Sequence, residues 1–181
     1  MELEKQHKLF SKKRLQSYES PKQHYENFLL ISRLSIKIGL LEIITRNKIA
    51  SLLLILDDKF ISTQTLGYWC ERIQEHKLHN QLMNMEHLNF QVYSPFNKKD
   101  KMRNYQKVTI AYSLFRTIRN RAFHFENLFK KNPNGTPRLS TCLVFGETKV
   151  LVGVEADKIE GFLDDMLDCF DCEVKEMYKR R

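Results

Sequence analysis

Residues 25–60 read YENFLLISRLSIKIGLLEIITRNKIASLLLILDDKF. Leucine and isoleucine dominate the stretch, yet Arg33, Lys37, Glu42 and Arg46 interrupt it every four or five residues. A bilayer span needs about 20 consecutive apolar residues, so these charges exclude a membrane helix. The stretch reads instead as one or two helices over 22–57 at the heart of a core, with Gly39 a candidate bend. Just upstream, Ser20 and Pro21 are a helix start signal. A serine at the N-cap accepts from an orphan N–H, and proline at the first position lacks one anyway.

Working outward, STQTLGYWCERIQEHKLHNQLMNMEHL (62–88) predicts one or two shorter helices opening at Ser62 or Thr63, and QVYSPFNKKDKMRN (91–104) predicts a loop. Helical periodicity resumes from Asn104 to Lys131 without Gly or Pro, until KKNPNGTP (130–137) stops it. Two β-branched runs in RLSTCLVFGETKVLVGVE (138–155) flank Gly146-Glu147-Thr148-Lys149, a hairpin signature. In the last segment Ile159, Phe162, Leu163, Met166, Leu167 and Phe170 fall at helical spacing, with basic residues at its end to suit the helix dipole. No internal repeat or low-complexity segment breaks the chain. The expectation is an all-α helical bundle with a small β-hairpin insertion near 140–154. Residues 1–20 form a basic N-terminal extension and 21–181 a single domain.

At 181 residues, one sizeable core is the expectation. Thirty Lys and Arg against 22 Asp and Glu leave a net charge of +8, which draws the protein towards polyanions. The positive charge gathers in KQHKLFSKKRLQ (5–16), NKKDKMR (97–103) and RTIRNR (116–121), whereas 160–173 is acidic. No apolar signal region follows the N-terminal basic residues, so a cytoplasmic protein is expected. Cys70, Cys142, Cys169 and Cys172 are too scattered for a disulfide scaffold and read as reduced thiols. The only metal-ligand patterns, His76 and His79 with His87, or Cys169 with Cys172, lack a second pair at the usual spacing. Neither a metal nor a cofactor is expected. Six glycines supply no phosphate-cradling loop, dinucleotide fingerprint or nucleophile elbow, which removes kinase, dehydrogenase and serine hydrolase readings.

The chemistry lies in IRNRAFHFEN (118–127). Turning about 100° per residue places Ala111, Leu114, Phe115, Ile118, Ala122, Phe125 and Phe129 on one arc, the core face. Arg116, Asn120, His124, Ser113 and Asn127 fall on the opposite side, with Arg119 flanking and Phe123 exposed. Asn120 and His124, one turn apart, share a stripe. Arginine and asparagine bind phosphate oxygens, and histidine exchanges protons near neutral pH.

Arg119-Asn120-Arg121-Ala122-Phe123-His124 resembles the Arg-x4-His motif of the HEPN superfamily of ribonucleases. Extended through Glu126, it resembles the Abi-like, abortive-infection branch. LEIITRNKI (41–49) is similar to the Leu-Glu-x-x-x-Arg-Asn segment which that branch carries on an early core helix. The resemblance covers about residues 22–170, though Phe125 stands where the family commonly has a second histidine.

The resemblance implies an HEPN-like helical bundle and an endoribonuclease that needs no metal, cleaving single-stranded RNA by attack of the ribose 2′-hydroxyl. His124 is then the general acid or base, Arg119 neutralises the phosphorane, and Asn120 orients the histidine or donates to a phosphate oxygen. Glu126 holds Arg119 in place, and Arg116 and Arg121 are RNA-binding candidates, although Arg121 sits at the edge of the core arc. Arg46 and Asn47 read either as supports of the same cleft or, for Arg46, as a helix-surface ion pair with Glu42. The family works as homodimers with a composite site, in antiphage defence or as toxins, sometimes with an antitoxin or an associated small RNA. A non-catalytic HEPN-like module that binds RNA or protein is the alternative.

Overall fold

The structure is a computed structural model that describes residues 3–98, 101–145 and 148–170. Helices α1 (Leu3–Phe10) and α2 (Lys12–Leu15) precede the long α3 (Pro21–Leu52). The Ser20 hydroxyl accepts from the Gln23 N–H at 3.1 Å, and Pro21 opens the helix as its sequence requires. α3 then runs unbroken through Gly39, so a single helix replaces the expected bend. A Cβ at Gly39 would meet nothing within 4 Å, so no close approach or turn demands glycine there. α3 stops where Leu54 turns left-handed (φ 55°), letting the Ile55 N–H reach back to the Ala50 carbonyl.

Asp57 caps a short α4 (Asp58–Thr63) and Thr65 caps α5 (Leu66–Glu75), so Ser62 and Thr63 end one helix instead of opening the next. The second helical region also ends earlier than expected, with α6 (His79–Leu82) giving way to extended chain at Met83. A 3-10 turn at Phe90–Tyr93 leads through a loop into α7 (Asn104–Phe123). Strands β1 (Ser140–Phe145) and β2 (Thr148–Gly153) pair antiparallel, Ser140 opposite Gly153 and Phe145 opposite Thr148. Thr148 and Lys149 therefore belong to the strand, while Gly146 and Glu147 lie outside the described residues. A last helix, α8 (Ile159–Asp168), closes the described fold; the expected basic end of this helix lies beyond the described residues.

α3 is the axis, with α5, α7 and α8 packed around it. Leu34, Ile38 and Leu41 of α3 meet Trp69, Leu114, Phe115 and Phe162 in a fully buried core, and each large side chain contributes roughly 1.5–3 kcal/mol by leaving water. One polar pair is enclosed there, the Thr45 and Tyr112 hydroxyls at 2.9 Å, each satisfying the other. The acidity of α8 is answered by α3: Lys37 reaches Glu160 at 3.1 Å and Asp164 at 2.9 Å. The hairpin lies on α7, where the Ser113 and Thr141 hydroxyls meet at 2.6 Å. The buried Asn97 amide donates to the Gly153 and Phe90 carbonyls and accepts from the Gly153 N–H, fixing the end of β2. Among the described residues, no helix is long and apolar enough to cross a membrane.

The N-terminal basic segment folds onto this body. Phe10 and Tyr18 close on the His24 ring of α3 at 5.3 and 4.7 Å. Burial lowers the His24 pKa from its ordinary range, aided by the Arg14 charge.

Candidate functional site

The buried face of α7 is the arc that periodicity predicts as far as Ala122: Ala111, Leu114, Phe115, Ile118 and Ala122 have no measurable exposure. The helix does not continue to Lys131. It ends at Phe123, His124 is its C-cap, and Phe125 adopts a left-handed φ of 52° that lets the Glu126 N–H bond to the Arg121 carbonyl at 2.9 Å. No glycine or proline causes this stop. Distant polar groups compete for the backbone beyond it. Asn27, fully buried on α3, accepts from the Leu128 N–H at 2.9 Å and donates to the Glu126 carbonyl at 3.0 Å. Arg14 of α2 donates to the Phe125 and His124 carbonyls at 3.0 and 3.5 Å.

Two expected placements change in consequence. Phe125 leaves the core arc, stands 42% exposed and leans on Phe28 at 5.5 Å. Asn127 leaves the polar stripe and is buried, its amide donating to the Ser17 carbonyl. Phe129 still packs against the core from the partly buried zone.

Arg119 is held by Glu42 of α3 in a two-pronged pair, Nε to Oε2 at 3.1 Å and Nη2 to Oε1 at 3.3 Å. Its other terminal nitrogen, Nη1, donates to Asn120 Oδ1 at 3.4 Å, and the guanidinium lies over the Phe123 ring at 5.3 Å. Glu126 does not hold Arg119. It receives Arg121 at 2.7 Å and Arg138 at 3.8 Å, because the left-handed turn at Phe125 swings residue 126 away from the helix line. The Glu42–Arg46 pair is likewise replaced, since the Glu42 carboxylate faces α7. The Nε of Arg46 is buried with no hydrogen-bond partner, and Asn47 is exposed.

Asn120 and His124 are exposed, and the His124 imidazole makes no hydrogen bond among the described residues. Arg116 is exposed beside Cys70. Burial pushes the Cys70 thiol up to about 11 against the pull of Arg116, and it remains a neutral thiol at physiological pH. Arg121 is engaged by Glu126 and largely covered, so of the two arginines nominated for RNA contact Arg116 is the one in no ion pair among the described residues.

No family model, curated protein or solved structure matches this chain. Arg119 keeps one edge of its guanidinium on Glu42 and turns the Nη1 edge outward, towards the stripe that Asn120 and His124 occupy. That edge and an unencumbered imidazole are a cation and a proton carrier on one exposed helix end. Among the described residues no three His, Cys, Asp or Glu side chains gather as metal ligands. His87 and Cys169 approach at 3.8 Å, while Cys172 lies outside the described residues.

On its outer face α3 carries Tyr25, Leu29, Ile36 and Ile43 exposed at spacings of four and seven residues. At about 100° per residue they form one strip opposite the helix's core face, and Ile43 adjoins Glu42. Sequence reasoning missed the roles of Arg14, Asn27 and Glu42. Asn27 was detectable as an amide on the same face as Leu30, Ile31 and Leu34, where only a partnered polar group is tolerated.

Proposed function

We propose that this chain is an endoribonuclease of the HEPN type, cleaving single-stranded RNA without a metal and acting as a homodimer. The observation that carries the reading is the Arg119–Glu42 pair. It joins the two segments that resemble the family, LEIITRN and Arg-x4-His, across 77 residues of sequence. Both segments lie on helices that pack together, α3 and α7, and the pair links them there.

In the reaction, a base removes the 2′-hydroxyl proton, the 2′-oxygen bonds to phosphorus, and the bond from phosphorus to the 5′-oxygen breaks as an acid protonates it. The products are a 2′,3′-cyclic phosphate and a free 5′-hydroxyl. One His124 serves each role when two protomers face each other. Arg119, oriented by Glu42, supplies charge to the phosphorane through its outward edge, and Asn120 donates to a phosphate oxygen. Glu126 acts at one remove, neutralising Arg121 and Arg138. The exposed Phe123 and the α3 strip support a second copy as the partner that completes the site. The setting we propose is antiphage defence or a toxin, with an antitoxin or small RNA as the controlling partner.

The test is incubation of pure protein with labelled single-stranded RNA in EDTA, beside His124→Ala and Arg119→Ala. Cleavage with cyclic-phosphate ends in the wild type alone supports the enzyme. RNA bound equally by all three and cut by none establishes the non-catalytic module instead.

A further inference from the structure

A cleft of about 310 Å³ opens between the N-terminal segment and the chain that follows α7. Its banks carry Lys13 and Arg14 on one side and Lys130 and Arg138 on the other, with Glu126 the one carboxylate among its lining residues. Glu126 is already neutralised by Arg121 at 2.7 Å. Arg138 shares that carboxylate at 3.8 Å and Arg14 is held by backbone carbonyls, so four cations line the cleft against one carboxylate. Lys13 and Lys130 are exposed and in no ion pair among the described residues, so the cleft keeps two mobile ammonium groups for a ligand. Like charges held this close repel, and an anion between them removes the repulsion.

The cleft is built rather than incidental. Arg14 fixes its near bank to the end of α7 through the His124 and Phe125 carbonyls, and Asn127 fixes the far bank through the Ser17 carbonyl. Arg14 bonds the backbone of His124, so the near bank of the cleft is joined to the residue that carries the imidazole.

We infer that the cleft binds the phosphodiester backbone of single-stranded RNA on one side of the cleaved bond, with Lys13 and Lys130 as the phosphate contacts. The N-terminal basic segment is thus half of the substrate track. The identity of the ligand rests on the ribonuclease reading; the anion site rests on the cleft.

The experiment measures binding in a His124→Ala background, so that no cleavage is needed for a signal. Fluorescence anisotropy of a labelled single-stranded RNA, across a salt series, compares that protein with the same protein carrying Lys13→Gln and Lys130→Gln. A second pair, Lys59→Gln and Lys149→Gln, removes the same charge from exposed positions outside the cleft. The cleft pair is expected to weaken binding at least tenfold and to reduce the slope of log K against log salt by about 1.4, the share of two phosphate contacts on a single strand. Lys13→Arg with Lys130→Arg restores both, and unchanged thermal melts exclude misfolding. Equal loss in the two glutamine pairs, or no loss in the cleft pair, overturns the inference. So does loss of binding to phosphatidylserine vesicles with RNA binding intact. A cleft pair that loses RNA in a protein that never cleaves it leaves the cleft standing and removes the nuclease.

Discussion

Arg119 and Glu42 form a bidentate ion pair, 3.1 and 3.3 Å, between α7 and α3. Both side chains are partly covered, at 32% and 21% exposure, so water screens the pair only in part. It does two jobs, tying the helices together and setting which edge of the guanidinium faces out.

Glu42→Gln is expected to cost about 1 kcal/mol, lowering the melting temperature by roughly 2–4 °C. A double-mutant cycle with Arg119→Ala checks it by calorimetry. A coupling energy near zero contradicts the assigned pairing.

Asn27→Ala is expected to be far more damaging, at about 2–3 kcal/mol, because it strands the Leu128 N–H and the Glu126 carbonyl in a buried place. Urea unfolding measures this. A loss below 1 kcal/mol would mean that the chain after α7 finds other partners.

Phe125→Gly separates the observed helix end from a continuous helix. On a continuous helix the ring is core, and its removal costs about 3–5 kcal/mol. In the structure the ring is 42% exposed at a left-handed φ, so relief of backbone strain offsets the lost contact with Phe28. A change within about 1 kcal/mol is expected by chemical denaturation.

Acid is expected to destabilise the fold through His24 and His79, whose pKa values burial lowers below the ordinary 6.5. A lowered folded-state value means that the unfolded chain binds protons first. The stability contributed by keeping these rings neutral is complete above about pH 6.5 and is lost as pH falls below it. Replacing His24 with Phe removes one of the two proton sites while keeping the aromatic contacts to Phe10 and Tyr18. Melting temperatures at pH 7.5 and 5.5 should then converge relative to wild type, and an unchanged gap would exclude His24 as a source.

Much of what is decided within one or two turns of chain was readable beforehand, although the Asp57 and Thr65 caps and the unbroken run through Gly39 were not. The Ser20–Pro21 start, the helical character of residues 25–52, the buried face of α7 to Ala122 and the β1–β2 hairpin all follow from interactions between residues a few positions apart. The sequence also brought Arg119, Asn120 and His124 to one outward-facing end, since helical spacing alone does that. Only the tertiary structure decided where α7 stops, because Asn27 and Arg14 compete for backbone groups 99 and 111 residues away. The partners of Glu42 and Glu126 were settled the same way. A carboxylate has several cations within its neighbourhood on the chain, and packing selects one by distance. The helix therefore ends four residues after Arg119, with His124 as its cap, and the N-terminal segment becomes a wall of the cleft beside it.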